Sequence, residues 1–472
     1  MTQYTDPDGM EFTANTQESA DTFSTLIDAY MGFRPETGEI LKALLKSDPE
    51  MPMALCAKGY FAKLIGSASH SQRAVGISEE LANHIDVVDA NPRERLHAQA
   101  LSQWCQGQLD TATDIWEQIL LSWPMDGMAV RLSHFTHFYS GDGRRTRDSI
   151  ARVLPQWPTD HRNYGFLLGM YGFGLEEAGE YVQAEHYARM AVDRNQKDSW
   201  SIHAAAHVME MTGRHAEGIR WIAELQPHWS TVNNFRFHLY WHQCLFHIER
   251  GEFDAVLSIY DEQIVSDIES EFYLDICNAS SLLWRLEMCG IDIGDRWRKL
   301  ACVSNGHVND TELVFVSLHY LMALVSGGHE EGTQRMMKTL RQWSTADSTQ
   351  GKIIAQVGLN IAEGLLHFRR KEYVQAMDKI QAVRYSMDSI GGSKAQRDVF
   401  QMIMLDAAQS SGDVMKARAL FTDRVSHKDT SSWSWQGYSQ ALLSLGQEAL
   451  ANEAARKAGI IRGVGKVGIS NA

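Results

Sequence analysis

Paired cysteines, basic runs, prolines and long apolar stretches are all scarce in this chain, and each scarcity narrows its class. The six cysteines (Cys56, Cys105, Cys244, Cys277, Cys289 and Cys302) contain no C-x-x-C pair. Neither a disulfide framework nor a zinc knuckle is indicated, and a reducing, cytoplasmic setting fits. Against 44 Lys+Arg stand 59 Asp+Glu, a formal charge of −15 with no basic run to offset it. Such a surface repels phosphate backbones, so nucleic acid is not expected as a partner. No stretch reaches the roughly 18 consecutive apolar residues of a membrane span. The acidic, polar start MTQYTDPDGMEF lacks the basic and apolar regions of a signal peptide.

Only nine prolines occur in 472 residues. Segments such as STLIDAYMGF and EGIRWIAEL space apolar residues at three and four, the period of a helix. An all-α chain is predicted, with no convincing strand pattern.

The turns carry a repeat. In Gly107-Gln-Leu109-Asp-Thr-Ala112, Gly179-Glu-Tyr181-Val-Gln-Ala184 and Gly412-Asp-Val414-Met-Lys-Ala417, a glycine is followed by an apolar residue and then an alanine. Glycine supplies the left-handed turn that ends one helix, and alanine lets the next pack closely. Weaker copies at Gly141, Gly213, Gly251, Gly290, Gly327, Lys371 and Gly446 leave intervals of 34 to 44 residues. This is a tetratricopeptide-like period of about 34 residues with insertions. The predicted fold is therefore a helical-hairpin solenoid, an α-α superhelix of about ten or more degenerate repeats. Residues 1–15 read as a polar lead-in, 16–460 as one solenoid, and 461–472 as a flexible glycine-rich tail.

His203 and His207 lie four apart, and His238 and His242 repeat that spacing 35 residues later. Residues at i and i+4 share a helix face. With the turn glycine at position 15 of each unit, His203, His207 and Glu210 take positions 5, 9 and 12, which line the concave face of such arrays. His238 and His242 take positions 2 and 6. Four imidazoles would then face one space, and neutral imidazole is the commonest metal donor. Zinc is the first expectation, with iron or manganese as alternatives. Glu210, one turn beyond His207, is a candidate ligand, orienting group or general base. The bland reading is that these are groove histidines bonded to carboxylates or main-chain carbonyls. Nineteen histidines in the chain make some such pairs accidental.

The segments Trp116-Glu-Gln-Ile-Leu120, Tyr171-Gly-Phe-Gly-Leu175, Trp200-Ser-Ile-His203 through His207-Val-Met-Glu210, His238-Leu-Tyr-Trp-His242 and Gly391-Gly-Ser-Lys-Ala-Gln-Arg-Asp-Val-Phe400 resemble the tetratricopeptide repeat protein 38 family. The chain looks like a bacterial member. The family pattern matches His134, the four paired histidines, Glu210, Tyr240, Trp241, Asp275, His319, Arg397 and Asp398. The resemblance implies the fold and names no reaction.

From these residues come the candidate roles. The four paired histidines would hold a metal, and Glu210 and Asp275 would be catalytic. Tyr240, Trp241, His319 and Arg397 would bind substrate. Arg397 suits a carboxylate or phosphate, or else only locks the last hairpins together, and Tyr240 and Trp241 either wall a pocket or pack between helices. The leading expectation is a concave cavity binding a metal ion and a small molecule, with hydrolase- or hydratase-type chemistry if the chain is an enzyme. The alternative is a non-catalytic scaffold for a protein or peptide. A protein partner and a homo-oligomer are left open.

Overall fold

The computed structural model describes residues 1–463, and over that span helical hairpins follow one another along the chain. The predicted turns are there: Gly107, Gly141, Gly179, Gly213, Gly251, Gly290, Gly412, Gly446 and Lys371 all have positive φ, between 61° and 87°. At the seventh turn the left-handed residue is Gly328, one beyond Gly327, which has φ −82° as the helix cap. The longest interval, before Lys371, is absorbed by a short helix Thr349–Ile353 and a π turn Ile354–Gly358 ahead of the helix Leu359–Arg369.

Residues 1–15, expected as a polar lead-in, instead contain an antiparallel hairpin of Thr2–Thr5 and Glu11–Ala14, with Tyr4 opposite Phe12. Asp6 makes its turn by accepting hydrogen bonds from the amides of Asp8 and Met10. Phe12 and Ala14 are buried, and Thr13 donates its amide to Glu94. The last helix runs Glu448–Arg462 and closes on Gly463 in the left-handed region. The rest of the expected flexible tail, 464–472, lies outside the described residues.

The array winds far enough to meet itself. Ala68 donates its amide to Asp310, Thr349 donates to the carbonyl of Gly107, and Lys63 pairs with Glu312. Further along, Lys394 donates to Glu177 and Ser432 to Glu249. These partners are 183 to 249 residues apart. Successive superhelical turns therefore rest on each other along a polar seam. Two apolar cores fill the interior, one built from Phe12 to Phe246 and one from Trp241 to Ala441. They meet at the helix Phe235–Arg250, which feeds both.

Winding also encloses space. The connection after the first helix returns to the loop between the helices His215–Trp229 and Phe235–Arg250, where the amide of Asn233 donates to the carbonyl of Phe33 at 3.1 Å. Beneath it lies a cavity of about 380 Å³ walled largely by aromatic and aliphatic side chains from both superhelical turns.

Candidate metal centre

The two histidine pairs sit on Ser199–Met211 and Phe235–Arg250, the inner helices of neighbouring hairpins. Asp198 caps the first by accepting the amides of Trp200 and Ser201. Every residue from Ser199 to Glu210 is buried, so this helix has no solvent face. A helix sunk this deep presents its i,i+4 pair to protein and not to water.

The four rings converge. Nε2 of His203 lies 2.9 Å from Nε2 of His207 and 3.1 Å from Nε2 of His238. The His242 ring is centred 4.4 Å from that of His207 and 4.9 Å from that of His203. One nitrogen from each ring falls within 4.8 Å of all the others, and all four residues are buried. Donors about 2.0–2.1 Å from a tetrahedral zinc stand roughly 3.3 Å apart, close to the spacings here.

Behind three of the rings stand polar side chains. Nδ1 of His238 donates to Oδ1 of Asn278 at 2.9 Å. Nδ1 of His207 faces Glu176 at 3.5 Å, and Nδ1 of His242 faces Glu210 at 3.3 Å. An acceptor at Nδ1 keeps the proton there and leaves Nε2 as a bare lone pair. His238 is the ring so fixed, whereas the Nδ1 atoms of His207 and His242 face their carboxylates without a hydrogen bond; Nε2 of His207 and of His238 both approach Nε2 of His203. His203 has one Nε2, which can donate to a single neighbour.

Burial, and after it the repulsion of neighbouring positive charge, holds His203, His238 and His242 far below the ordinary imidazole range; burial also lowers His207. The rings are therefore neutral, as metal-binding imidazoles are. The charge of a cation held there would be balanced by Glu176 and Glu210, the two carboxylates behind the rings. Burial raises Glu176 and Glu177 each to about 7, the range in which a nearby cation would hold them ionised. Glu176, Glu177 and His207 also bring donor atoms within 4.8 Å of one another.

The remaining candidates are dispersed. Glu210 stands behind His242 and 3.8 Å from Lys428, so it is placed to orient a ring rather than to face an open position. Asp275 is buried one turn before Asn278 and accepts from Asn234 at 2.7 Å, apart from the four rings. Burial raises its carboxyl to about 7. Trp241 stacks on His238, centroids 5.1 Å apart at 12°, and donates to Ser281. Tyr240 points elsewhere, against Trp229, with its hydroxyl accepting from Gln226. His319 donates Nδ1 to the carbonyl of Phe315, which is a wall of the cavity. Arg397 donates to the carbonyl of Gly392 and pairs with Asp388 at 3.0 Å, while Asp398 is clamped by Arg424 and Lys428. The Gln396-Arg397-Asp398 segment thus ties the last hairpins together, although Gln396 reaches the cavity. His134 is buried beside Trp200 and Phe173 and has no hydrogen-bond partner at either nitrogen.

Sequence reasoning missed Glu176 and Asn278 behind the rings, and of the expected cavity it missed the aromatic lining. Glu176 occupies position 12 of its unit, as Glu210 does, so the pattern of a carboxylate behind the next hairpin's histidine was there to be read. Asn278 gives no such signal. The cavity has His203 and His238 in its wall, beside Phe235 and Trp200.

Among the described residues no helix is long and apolar enough to cross a membrane, and all six cysteines are free. No family model matches the chain. Among solved structures it is similar to human IFIT1, seen as a dimer with PPP-AAAA, at 14% identity over 93% of this chain and 94% of that one, with a TM-score of 0.39. It is also similar to Naa15/Naa10 bound to HypK-THB, at 12% identity over 93% of this chain and 68% of that one, with a TM-score of 0.25. Both are loose likenesses between helical chains, and neither carries an argument about this one.

Proposed function

We propose that this chain is a metal-binding helical-repeat protein of the tetratricopeptide repeat protein 38 family. It holds one divalent transition metal on His203, His207, His238 and His242 and takes a small molecule into the adjoining cavity. The observation that carries the reading is the convergence of one nitrogen from each of four buried rings within 4.8 Å, with Asn278 bonded behind His238 and carboxylates facing His207 and His242. Left without a cation, buried lone pairs on such nitrogens cost about 1–3 kcal/mol each.

The choice of ion decides what the centre can do. Zinc held by all four rings is tetrahedral and closed, whereas zinc on three rings, or iron or manganese with higher coordination, keeps an open position. His203 and His238 line the cavity, which supports an open position on that side. A metal there supplies Lewis-acid activation of a polar group on the bound molecule, the basis of the hydrolase- or hydratase-type reading. The protein's own contribution is to orient the rings and to surround the molecule with apolar walls. An extended-peptide groove has less support, because the inner face is taken up by buried histidine helices and the cavity. The free cysteines accord with a reducing cytoplasm.

Elemental analysis of protein purified without a histidine tag tests the reading. One equivalent of zinc, iron or manganese per chain is expected, and His207→Ala should lose it while the far-ultraviolet dichroism persists. Protein that stays metal-free after incubation with each ion overturns the proposal.

A further inference from the structure

Arg131 is 1% exposed, and none of its three guanidinium nitrogens has a hydrogen-bond partner. A buried, unpaired charge is among the costliest things a fold can contain, and guanidinium does not shed its proton near neutral pH. What surrounds it is aromatic. The guanidinium carbon sits 4.4 Å from the ring centres of both Phe33 and Phe135, and 5.1 Å from that of Trp200. All three rings line the cavity, so the charge is one ring's thickness from the void. Cation–π contact offsets part of its burial but satisfies none of its five N–H donors.

The unmet polarity is clustered. The hydroxyls of Tyr30, Ser133 and Ser199, the indole nitrogen of Trp200 and both nitrogens of His134 are also buried without partners. Tyr30 and Trp200 are cavity walls. Asp198, the carboxylate whose charge reaches Arg131, is committed to capping its own helix, and among the described residues no carboxylate forms an ion pair with Arg131. Phe33, which covers the guanidinium, has φ +54°. That backbone conformation is strained for an aromatic residue and marks the turn that carries this ring as a special position in the wall.

We propose that the cavity binds an apolar molecule bearing one carboxylate, and that Arg131 is the residue that receives that carboxylate once Phe33 turns aside. The fork of a guanidinium matches a carboxylate in bidentate fashion, and one positive charge balances one negative charge. A phosphate dianion would be left half neutralised in apolar surroundings. The aromatic and aliphatic walls select the body of the ligand, and about 380 Å³ sets its size at that of a medium-chain acid or an arylalkanoic acid.

This inference shares the cavity with the metal reading but stands on different residues. Its test uses decanoate and its uncharged counterpart methyl decanoate, with binding followed by quenching of tryptophan fluorescence and by thermal shift. Decanoate should bind the full chain at least about tenfold more tightly than the ester. Arg131→Met should abolish that preference, and in the absence of ligand it should melt above the parent protein, since it removes an unpaired buried charge. Equal binding of acid and ester, a preference that survives the substitution, or an Arg131→Met protein that melts lower or fails to fold would each overturn the proposal. Metal content measured on the same samples keeps the two readings apart. A metal-free protein that still prefers decanoate loses only the metal reading, and a metal-loaded one without the preference loses only this inference.

Discussion

Replacing Asn278 by alanine removes the acceptor that holds the proton on Nδ1 of His238. The side chain is 2% exposed, its Oδ1 makes the 2.9 Å bond to the ring, and its Nδ2 has no partner. Truncation therefore leaves one buried N–H unsatisfied, at about 1–3 kcal/mol, partly offset by deleting the orphaned amide nitrogen. The ring has a way out. With the proton moved to Nε2 it can donate to Nε2 of His203, 3.1 Å away, and that tautomer no longer offers a lone pair to the centre. Loss of an outer-shell partner of this kind weakens metal binding about 10- to 100-fold, or roughly 1.4–2.7 kcal/mol. Calorimetric titration of zinc chloride into metal-stripped protein reads the change directly. His319→Gln is the matched control, since His319 is just as buried but lies outside the cluster. If Asn278→Ala binds zinc within about twofold of the parent, the outer partner does not set the tautomer, and the argument from converging lone pairs fails.

Other expectations follow from the same geometry. Gly141 has φ +65°, and a Cβ there would land on the carbonyl oxygen of Asp388 across the seam, so Gly141→Ala should cost about 3 kcal/mol or more in chemical denaturation. Gly412→Ala, with φ +79° but open space around it, should cost only about 1–2 kcal/mol. Val316→Phe narrows the cavity, and it should cut the uptake of the apolar dye N-phenylnaphthylamine while leaving metal content unchanged. Burial lowers His319 from 6.5 to about 4, so the unfolded chain takes up this proton first as the solution is acidified. The stability involved is fully present above pH 6.5 and is lost between 6.5 and 4, about 3 kcal/mol in all. His319→Phe should flatten that part of the acid limb in urea denaturation at successive pH values.

The hairpin turns were legible because their backbone demands a residue without a side chain, and a glycine every 34 to 44 positions is visible in one sequence. Lys371, the one non-glycine among the predicted turn residues, accepts the same conformation at φ +61°. The histidine cluster was legible for a similar reason, since helix period and repeat period together bring positions 203, 207, 238 and 242 to one place. Roles for Tyr240 and Asp275 were not, because neighbours in sequence alternate around a helix and only packing decides which face looks inward. A concave cavity was expected, but its aromatic lining and Arg131 lay beyond such reasoning, because their surroundings come from chain segments far apart in sequence that meet only when the superhelix completes a turn. The first strands, four residues each, are too short for alternation to register.

Open solenoids behave as strings of semi-independent units that tolerate the gain or loss of a repeat. The seam between residues such as Gly107 and Thr349 withdraws that freedom. Adding or deleting a single hairpin between them would shift every later contact by one unit, misalign the polar pairs and unroof the cavity. Evolutionary change in repeat number, the usual currency of such arrays, is thereby closed to this chain, and the polypeptide should melt as one body rather than peel from its ends.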